Sequence, residues 1–506
     1  MLTMTGLLAR AAETFGGRTA VMDFAADGTL HETGWADHVM RARRIAGGFR
    51  FLPGERFAII ARNSAGQAEL FHAGYLSGAL PVPVNWRLSP VELAALLADC
   101  DPARIFLDRE FASLAEDPAL ARWLGDAILL DGGFVPDNCL GVAAPLHDTA
   151  AEDAALILYT GGTTGGPKGV LLSHGNITAN ALQVAPVLEM AEHTRYLHIA
   201  PMFHGADLIG TAATMQGGAH AYLPAFTIDD FLASARAARI TATMLVPAMV
   251  RMLVDRGAAH PADIDLPDLG MVIYGSSPMD AGLIGDACRA MPGIGWRQGY
   301  GLTETGPLLT VLGAAEHRDI AIGARTGLAA SAGRPLAGVV SRTVDAAGNP
   351  LPGGAVGEIQ VRGPNIARGY FKNPAETRAV FRDGWFLTGD IGRVDGDGYL
   401  HLLDRAKDMI ISGGENIYSI EVEDALLAHP GVAQAAVIGQ PDPKWGEIVT
   451  AALVLREPDL TAAALQDHCR TLLGGYKVPR RFLFMDDLPR NALGKVLKQH
   501  LREGAK

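Results

Sequence analysis

Residues 159–169 read YTGGTTGGPKG and directly follow an apolar run at 155–158. Glycines let the backbone approach a ligand closely, and successive backbone N–H groups in such a loop form a concave anion site. The threonines add hydroxyl donors, and Lys168 adds a positive charge. The stretch does not fit GxxxxGK[ST], because Pro167 separates Gly166 from Lys168, so a P-loop nucleotide hydrolase is disfavoured. We interpret it as an anion-binding loop behind a buried strand, with a flexible turn as the alternative.

Short apolar runs alternate with amphipathic stretches on both sides of this loop. The pattern predicts strands at 56–61, 103–107, 156–159 and 271–274, and a helix at 66–77. Such alternation favours α/β layers with mostly parallel sheets. Glycine and proline become dense around 323–369, between short strands such as 357–362, which predicts a smaller β-rich subdomain.

The last part of the chain reads as a separate unit. A charged stretch followed by glycines, DRAKDMIISGGEN at 404–416, precedes expected helices at 419–427 and 461–473 and expected strands at 434–438, 448–455 and 481–485. We therefore predict an α/β protein whose large N-terminal domain of layered α/β subdomains covers 1–403, with a β-rich subdomain at about 323–403. A hinge at 404–407 would join it to a small mobile α+β C-terminal domain at 408–506, although a plain surface loop is the alternative there.

Composition narrows the function classes. The 506 residues carry a formal net charge of −12, so the chain as a whole repels a phosphate backbone and general nucleic-acid binding is disfavoured. Hydrophobic residues make up 49% and charged residues 19%, as in globular proteins. The cysteines, at 100, 139, 288 and 469, are far apart and form no CxxC pair. This argues against a zinc site and a disulfide framework, and it fits a reducing cytoplasm.

The chain shows no membrane-spanning segment. Arg10 and Glu13 interrupt the N-terminal apolar residues before a signal-peptide core forms. No uncharged apolar run reaches the roughly 18 residues that a spanning helix needs. We predict a cytoplasmic protein without an integral membrane segment, and peripheral membrane contact and a homodimer stay open.

Further motifs follow the loop in a fixed order: PMFH at 201–204, YGSSP at 274–278, GYGLTETGP at 299–307, GWFLTGD at 384–390, DRAKDMIISGGEN at 404–416 and PRNALGKVLK at 489–498. With these motifs the sequence resembles the adenylate-forming superfamily, which includes acyl-CoA synthetases, coumarate–CoA ligases, luciferases and peptide-synthetase adenylation domains. The resemblance implies an AMP-forming carboxylic acid–CoA ligase that uses ATP, Mg²⁺ and coenzyme A. The alternative is a stand-alone adenylation enzyme that loads an acyl carrier protein.

The resemblance assigns the nucleotide to several of these motifs. Glu304 would hold Mg²⁺ together with Thr164, which suits a hard cation whose other ligands are phosphates and water. Tyr300 would pack on adenine, and Asp390 would accept hydrogen bonds from both ribose hydroxyls. The implied nucleotide-binding set is Thr160, Gly161, Gly162, Thr163, Gly165, Lys168, Gly275, Ser276, Ser277, Tyr300, Thr303, Asp390 and Arg405.

A late lysine completes the implied catalytic set of Lys495, His204, Thr164 and Glu304. Lys495 would reach between the acid's carboxylate and the α-phosphate, where a cation lowers the barrier to bringing two anions together. The small domain would then rotate about Lys407 and bring a channel for coenzyme A to the site. The residues implied to line that channel are Ser412, Gly413, Gly414 and Glu415.

The acid pocket follows from the same resemblance. His204 would lie beside the acid's carboxylate, and the walls would include Gly205, Ala206, Gly210, Gly275, Gly299, Pro307 and Leu308. Small residues there predict room for a bulky or long apolar acid, so fatty and aryl acids of the cinnamate type both stay open. Asp207 lies two places too late to match the amine-binding aspartate of peptide synthetases, and no pocket arginine is evident for a second carboxylate. Amino acids and malonate-like acids are therefore disfavoured.

Overall fold

The computed structural model describes residues 2–24, 29–160, 167–412, 415–490 and 496–504. They form two compact units. The first unit comprises Met1–Val340 and Arg362–Phe386, and the second comprises Ser341–Val361 and Leu387–Lys506. The second unit thus takes in part of the predicted β-rich subdomain. The boundary and the hinge at 404–407 stay predictions.

The helices have the following bounds: α1 Met4–Phe15, α2 Trp35–Phe49, α3 Ala65–Ser77, α4 Pro90–Cys100, α5 Ala121–Leu124, α6 His174–Val187, α7 Thr211–Gln216, α8 Ile228–Ala237, α9 Pro247–Ala259, α10 Ala281–Ala290, α11 Ala314–Ala321, α12 Pro374–Val380, α13 Ser419–Leu427, α14 Ala462–Leu472 and α15 Lys498–Gly504. Several begin at side-chain caps, as Ser173 illustrates: it forms a capping box with Asn176 that satisfies the first amides of α6. Across the described ranges, no helix is both long enough and apolar enough to cross a membrane.

The strands have these bounds: β1 Thr19–Phe24, β2 Leu30–Gly34, β3 Arg56–Ile60, β4 Leu80–Pro83, β5 Arg104–Asp108, β6 Ile128–Leu130, β7 Ala154–Thr160, β8 Lys168–Ser173, β9 Arg195–His198, β10 Ala219–Tyr222, β11 Ala242–Leu245, β12 Met271–Tyr274, β13 Gly295–Tyr300, β14 Thr310–Leu312, β15 Arg334–Pro335, β16 Val340–Val344, β17 Gly357–Arg362, β18 Gly369–Tyr370, β19 Phe381–Arg382, β20 Trp385–Val394, β21 Leu400–Arg405, β22 Ile410–Ser412, β23 Glu415–Ile417, β24 Val432–Asp442, β25 Gly446–Leu455 and β26 Arg481–Phe484. The strands predicted from apolar runs are all present, with ends shifted by a few residues.

Two sheets of the first unit have the predicted parallel core. One has the order β15-β14-β13-β12-β11-β9-β10-β1-β2, and its strands from β13 to β1 run parallel. The other, β4-β3-β5-β6, is entirely parallel. Helix α3 is buried on nearly every side, its polar residues Gln67 and Glu69 included, as expected of a helix inside a layered core. The main hydrophobic core of the unit packs α1, α2 and α3 against these strands.

The strand before the opening loop belongs to neither of these sheets. β7 pairs antiparallel with β8, in a three-stranded sheet of order β18-β8-β7. The reason is local, because the short glycine-threonine segment between β7 and β8 leaves no room for a parallel crossover helix. The predicted strand at 156–159 is confirmed, and it lies in an antiparallel sheet within a unit whose two larger sheets are mostly parallel.

The second unit is built mainly on antiparallel strands. β21 pairs with β20, which continues a sheet through β17 to β16. A second sheet has the order β23-β22-β25-β24, with β26 parallel to β25. Helices α13 and α14 contribute Val422, Leu426 and Leu465 to the core beside it.

Candidate active site

The first unit gathers predicted site residues at the carboxyl ends of its parallel strands. β12 ends at Tyr274, directly before Gly275, and its neighbour β13 ends at Tyr300. β9 ends at His198 in the same sheet, shortly before the PMFH motif. Because ligands of open α/β sheets bind outside the carboxyl ends of the strands, these segments mark the candidate site.

The loop with Glu304 is fixed by buried amide side chains. Nδ2 of Asn365 donates to the carbonyl oxygens of Thr305, at 2.7 Å, and Leu308, at 3.1 Å. Nδ2 of Asn180, on α6, also donates to the Leu308 carbonyl, at 2.8 Å. Buried amides are expensive to leave unpaired, so these bonds hold the loop from two sides. The structure therefore presets the position of Glu304 before any ligand binds.

Glu304 is buried, with 8% of its surface exposed. The hydroxyl of Tyr370 donates to its Oε1 at 2.8 Å. Burial, reinforced by the carboxylate of Glu304, raises the pKa of Tyr370. Among the described residues no cluster of three or more His, Cys, Asp or Glu side chains could hold a metal ion. One oriented carboxylate nevertheless fits Mg²⁺, which typically takes one or two protein carboxylates and fills its other positions with phosphates and water.

Lys168 has a partner that the sequence did not reveal. Its Nζ forms an ion pair with Glu376 and lies 5.8 Å from the ring centroid of Tyr370. Tyr370 also pairs with Val170 across β18 and β8. The start of β8 and Glu304 are thus joined through Tyr370. Four loop residues predicted to bind nucleotide lie outside the described residues: Gly161, Gly162, Thr163 and Gly165. Thr164, the predicted partner of Glu304 at Mg²⁺, also lies outside them.

His204 precedes a short 3₁₀ helix, Gly205–Gly210. Its Nε2 is buried and has no hydrogen-bond partner within the described part of the chain. Burial, with a smaller contribution from Arg87, lowers the pKa of His204 to about 4, so the imidazole is neutral near pH 7. Arg87 is a cation near the acid side of the site that the sequence did not point to.

The 205–210 turn packs directly on the Glu304 loop. A Cβ placed on Gly205 would lie 3.3 Å from Cα of Thr303 and 3.6 Å from Cβ of Pro307. Predicted acid-side residues and the predicted metal-holding carboxylate therefore lie on neighbouring segments of one unit.

The opposite side of this turn is anchored by buried polar groups. Oδ1 of Asp207 lies 2.5 Å from Nδ1 of His198, and Nε2 of His198 lies 2.9 Å from Nδ1 of His220. Thr214 bonds the remaining nitrogen of His220 at 2.9 Å. Asp207 is therefore a structural partner of His198 in the core, in agreement with its poor match to an amine-binding aspartate.

The pocket glycines do not leave the open room that their size predicts. A Cβ on Gly299 would lie 2.7 Å from Cδ2 of Leu308, and one on Gly210 would lie 2.4 Å from Cε1 of His198. A Cβ on Gly275 would lie 2.9 Å from the carbonyl oxygen of Gly299. Close packing of the protein itself explains these glycines. The inference of open room at these three positions is wrong.

The second unit brings together two further predicted nucleotide contacts. Nε of Arg405 lies 2.8 Å from Oδ1 of Asp390, and the two residues face each other across β21 and β20. The amide of Asp390 also donates to Oγ1 of Thr388, at 3.1 Å. Burial lowers the pKa of Lys407, against the opposing charge of Asp408. The carboxylate of Asp390 is buried and held in place within its strand. Its two oxygens can therefore accept hydrogen bonds from two hydroxyl groups.

Two of the residues predicted to line the coenzyme A channel, Ser412 and Glu415, are among the described residues. Ser412 and Glu415 face each other at the ends of β22 and β23. Gly413, Gly414 and Lys495 lie outside the described residues.

Two family models match most of the segments that carry these residues. The AMP-binding enzyme family model matches residues 8–371, and the AMP-binding enzyme C-terminal domain matches 421–495. A feruloyl-CoA synthase from Amycolatopsis is 38% identical over 92% of this chain and 93% of its own. An indoleacetate–CoA ligase from Aromatoleum aromaticum is 38% identical over 86% of this chain and 85% of its own.

A solved structure supports the same assignment. ATP-bound MatB from Rhodopseudomonas palustris has a TM-score of 0.87 at 30% identity, over 100% of this chain and 99% of that one. These similarities confirm the predicted fold class and the use of ATP and coenzyme A. The chain therefore belongs to the AMP-binding enzyme family and is an AMP-forming acid–CoA ligase of the adenylate-forming superfamily.

Proposed function

We propose that this ligase activates a hydrophobic aryl acid and transfers its acyl group to coenzyme A. The observation that carries the proposal is the contact of the 205–210 turn, which follows His204, with the loop that holds Glu304. An acid lying along the turn would place its carboxylate near a metal-bound phosphate. Two relatives at 38% identity, the feruloyl-CoA synthase and the indoleacetate–CoA ligase, act by name on aryl acids, which supports aryl over fatty acids.

In the first half-reaction a carboxylate oxygen of the acid attacks the α-phosphorus of ATP. A new oxygen–phosphorus bond forms, the bond to the pyrophosphate oxygen breaks, and pyrophosphate leaves. Neutral His204 suits this step, because it can donate one N–H to the carboxylate without pairing so strongly that attack is slowed. Lys495 would neutralise the charge that the two anions bring together.

Glu304 would hold Mg²⁺, whose chemistry is to neutralise and orient the phosphates. Tyr370 orients the carboxylate of Glu304 through its hydroxyl. Asp390 would accept the ribose hydroxyls and Arg405 would align it. Thr160, Lys168 and the segment between them would surround the phosphates.

In the second half-reaction the sulfur of coenzyme A attacks the acyl carbon. The thiol proton leaves to solvent, a carbon–sulfur bond forms, and the bond to the phosphate of AMP breaks. We propose that the small domain first rotates about 404–407, so that Lys495 withdraws and the hairpin with Ser412 and Glu415 guides the pantetheine arm. The homodimer, membrane contact and a cytoplasmic location stay predictions.

A panel of acids tests the proposal. Ferulic, indoleacetic, octanoic and palmitic acids are each assayed for pyrophosphate release and for AMP release that depends on coenzyme A. We expect the highest kcat/KM with an aryl acid. Faster turnover of the fatty acids would overturn the aryl assignment, and AMP release that requires a carrier protein would identify a loading enzyme instead.

A further inference from the structure

A buried polar cluster in the second unit joins three separate elements. Ser419, the first residue of α13, donates from its amide to Oδ2 of Asp404, at 2.5 Å, and from its hydroxyl to Oδ1, at 3.0 Å. Nζ of Lys498, the first residue of α15, donates to the Ser419 hydroxyl oxygen at 2.5 Å. Asp404 is on β21 and is the first residue of the predicted hinge, 404–407. The cluster thus connects the hinge strand to the helix that follows the lysine motif.

The ammonium group of Lys498 also forms an ion pair with the carboxylate of Glu423. Nζ of Lys498 lies 2.7 Å from Oε1 of Glu423, and about 15% of each side chain is exposed. Oε1 of Glu423 also accepts the amide of Val437, at 2.7 Å. A half-buried lysine with two anionic neighbours and a serine has a defined position, because each alternative rotamer would leave buried charge unpaired.

A second ion pair ties α15 to the far side of the pivot. Nη2 of Arg502 lies 2.9 Å from Oδ1 of Asp408, which directly follows Lys407. The described flanks of the lysine segment are also joined, since Arg490 and Val496 form an antiparallel bridge. Asp404, at the start of the predicted hinge 404–407, and Asp408, directly after it, are therefore both connected to α15.

We propose that Lys498 and Ser419 are positioning residues for adenylation, which tie the base of the lysine segment to the hinge strand so that Lys495 arrives in register. This proposal rests on the proposed function, because it assigns no chemistry of its own to the cluster. Lys495 lies three positions before Lys498 along the chain, and a misplacement of about 1 Å at a reacting group can cost on the order of 10²-fold in rate. Thioester formation does not use Lys495, so it should not depend on the tie.

The test measures the two half-reactions separately in Ser419→Ala and Lys498→Met. We expect pyrophosphate release to slow at least tenfold, while thioester formation from supplied acyl-AMP stays within twofold. Lys477→Met is the matched control, since Lys477 makes an ion pair of 2.6 Å with Glu421 on the same helix, with 18% of its side chain exposed. Both of its half-reactions should stay within twofold of the unmodified chain. Equal slowing of both half-reactions in Ser419→Ala, or no slowing, would overturn the proposal.

Hydrogen exchange supplies a readout that does not depend on activity. The amides of 498–504 should exchange at least tenfold faster in Ser419→Ala than in the unmodified chain, and Lys477→Met should leave them unchanged. Unchanged exchange in Ser419→Ala overturns the tie even if the ligase is active. Absence of acid-dependent pyrophosphate release from the unmodified chain instead overturns the proposed function, whatever the exchange shows.

Discussion

The loop with Glu304 and the cluster around Ser419 are held in place by different chemistry. Neutral amides of Asn180 and Asn365 hold the loop in the first unit. Charged groups, Lys498 and Asp404, hold the cluster in the second. Hydrogen bonds between uncharged amides do not titrate, whereas contacts between charged groups change when one partner gains or loses a proton. Uncharged amides thus fix the loop that carries Glu304, and charged groups fix the elements around Ser419.

Burial also shifts pKa values in different directions for histidines of the first unit and carboxyl groups of the second. Burial lowers the pKa of His204 and of His317, each to about 4, in the first unit. In the second unit, burial raises the pKa of Asp404 and of Glu423, against the opposing charge of Lys498. Acidification therefore acts in opposite directions on the stability contributions of these two histidines and these two carboxyl groups.

Loss of the late lysine should have the largest effect. Lys495→Ala should slow pyrophosphate release on the order of 10²- to 10³-fold, because a preorganised charge at the reacting centre is lost. Thioester formation from supplied acyl-AMP should be largely retained. Rapid-quench measurement of both half-reactions checks this, with Lys477→Met as the control. Equal slowing of pyrophosphate release and of thioester formation would contradict a role for Lys495 in the first half-reaction alone.

Lowering the pH should destabilise the first unit. A histidine whose folded pKa is about 4 stays neutral while the unfolded chain takes up a proton below about 6.5, so stability present above pH 6.5 is lost as the pH falls toward 4. His317, which is 1% exposed, should account for about 3 kcal/mol of this loss.

The pH effect can be measured unit by unit. Hydrogen exchange at pH 6.5 and pH 4.5 reports the opening free energy of each region separately. A carboxyl group whose pKa is raised in the folded state has the opposite effect on stability. Its stabilising contribution is present at low pH and is lost as the pH rises through the folded pKa. His317→Gln should flatten the profile of the first unit. Equal acid sensitivity of both units would contradict the comparison.

Removing the carboxylate of the preset loop should impair the metal-dependent step. Glu304→Gln should slow pyrophosphate release on the order of 10²-fold and raise the Mg²⁺ concentration needed for half-maximal rate. Calorimetric titration of Mg-ATP provides a readout besides turnover. Tyr370→Phe, which removes only the hydroxyl bonded to Oε1, should show a smaller shift in the same direction. An unchanged Mg²⁺ dependence in Glu304→Gln would reject the assignment.

The amide contacts should have the smallest effect of this series. Asn365→Ala leaves the carbonyls of Thr305 and Leu308 without this donor, which should cost about 1–3 kcal/mol in the free energy of unfolding. Urea denaturation measures the change. The exposed Asn138→Ala is the control and should stay within about 0.5 kcal/mol. If the two variants behaved alike, the loop would not be held by its buried amides.

Local signals explain what the sequence predicted well. Apolar runs and turn residues act over a few neighbours, so strands such as 271–274 and helices such as 419–427 were identified with their bounds. The motifs also pointed to Glu304, Asp390 and Arg405. Of these, Asp390 and Arg405 form an ion pair in the structure.

Contacts between distant residues explain what was missed. Lys168 and Glu376 are 208 positions apart, and Tyr370 and Glu304 are 66 apart, so no window of sequence contains both partners. The glycine at 299 misled for a different reason. The side chain that fills its space belongs to Leu308, only nine positions later, and the sequence does not show how the chain folds back between them. A glycine in a sequence can mark either an open pocket or a close contact between parts of the protein, and the sequence alone does not distinguish them.

In the proposed reaction, the acid and the nucleotide meet between His204 and Glu304. A crystal structure with the acyl-sulfamoyl adenosine of the best acid, a stable mimic of the acyl-adenylate, tests it most directly. We expect the acyl carbonyl within hydrogen-bonding distance of Nε2 of His204 and the sulfamoyl group beside the Glu304 loop. A mimic bound away from the 205–210 turn, with His204 Nε2 still unpartnered, would contradict it.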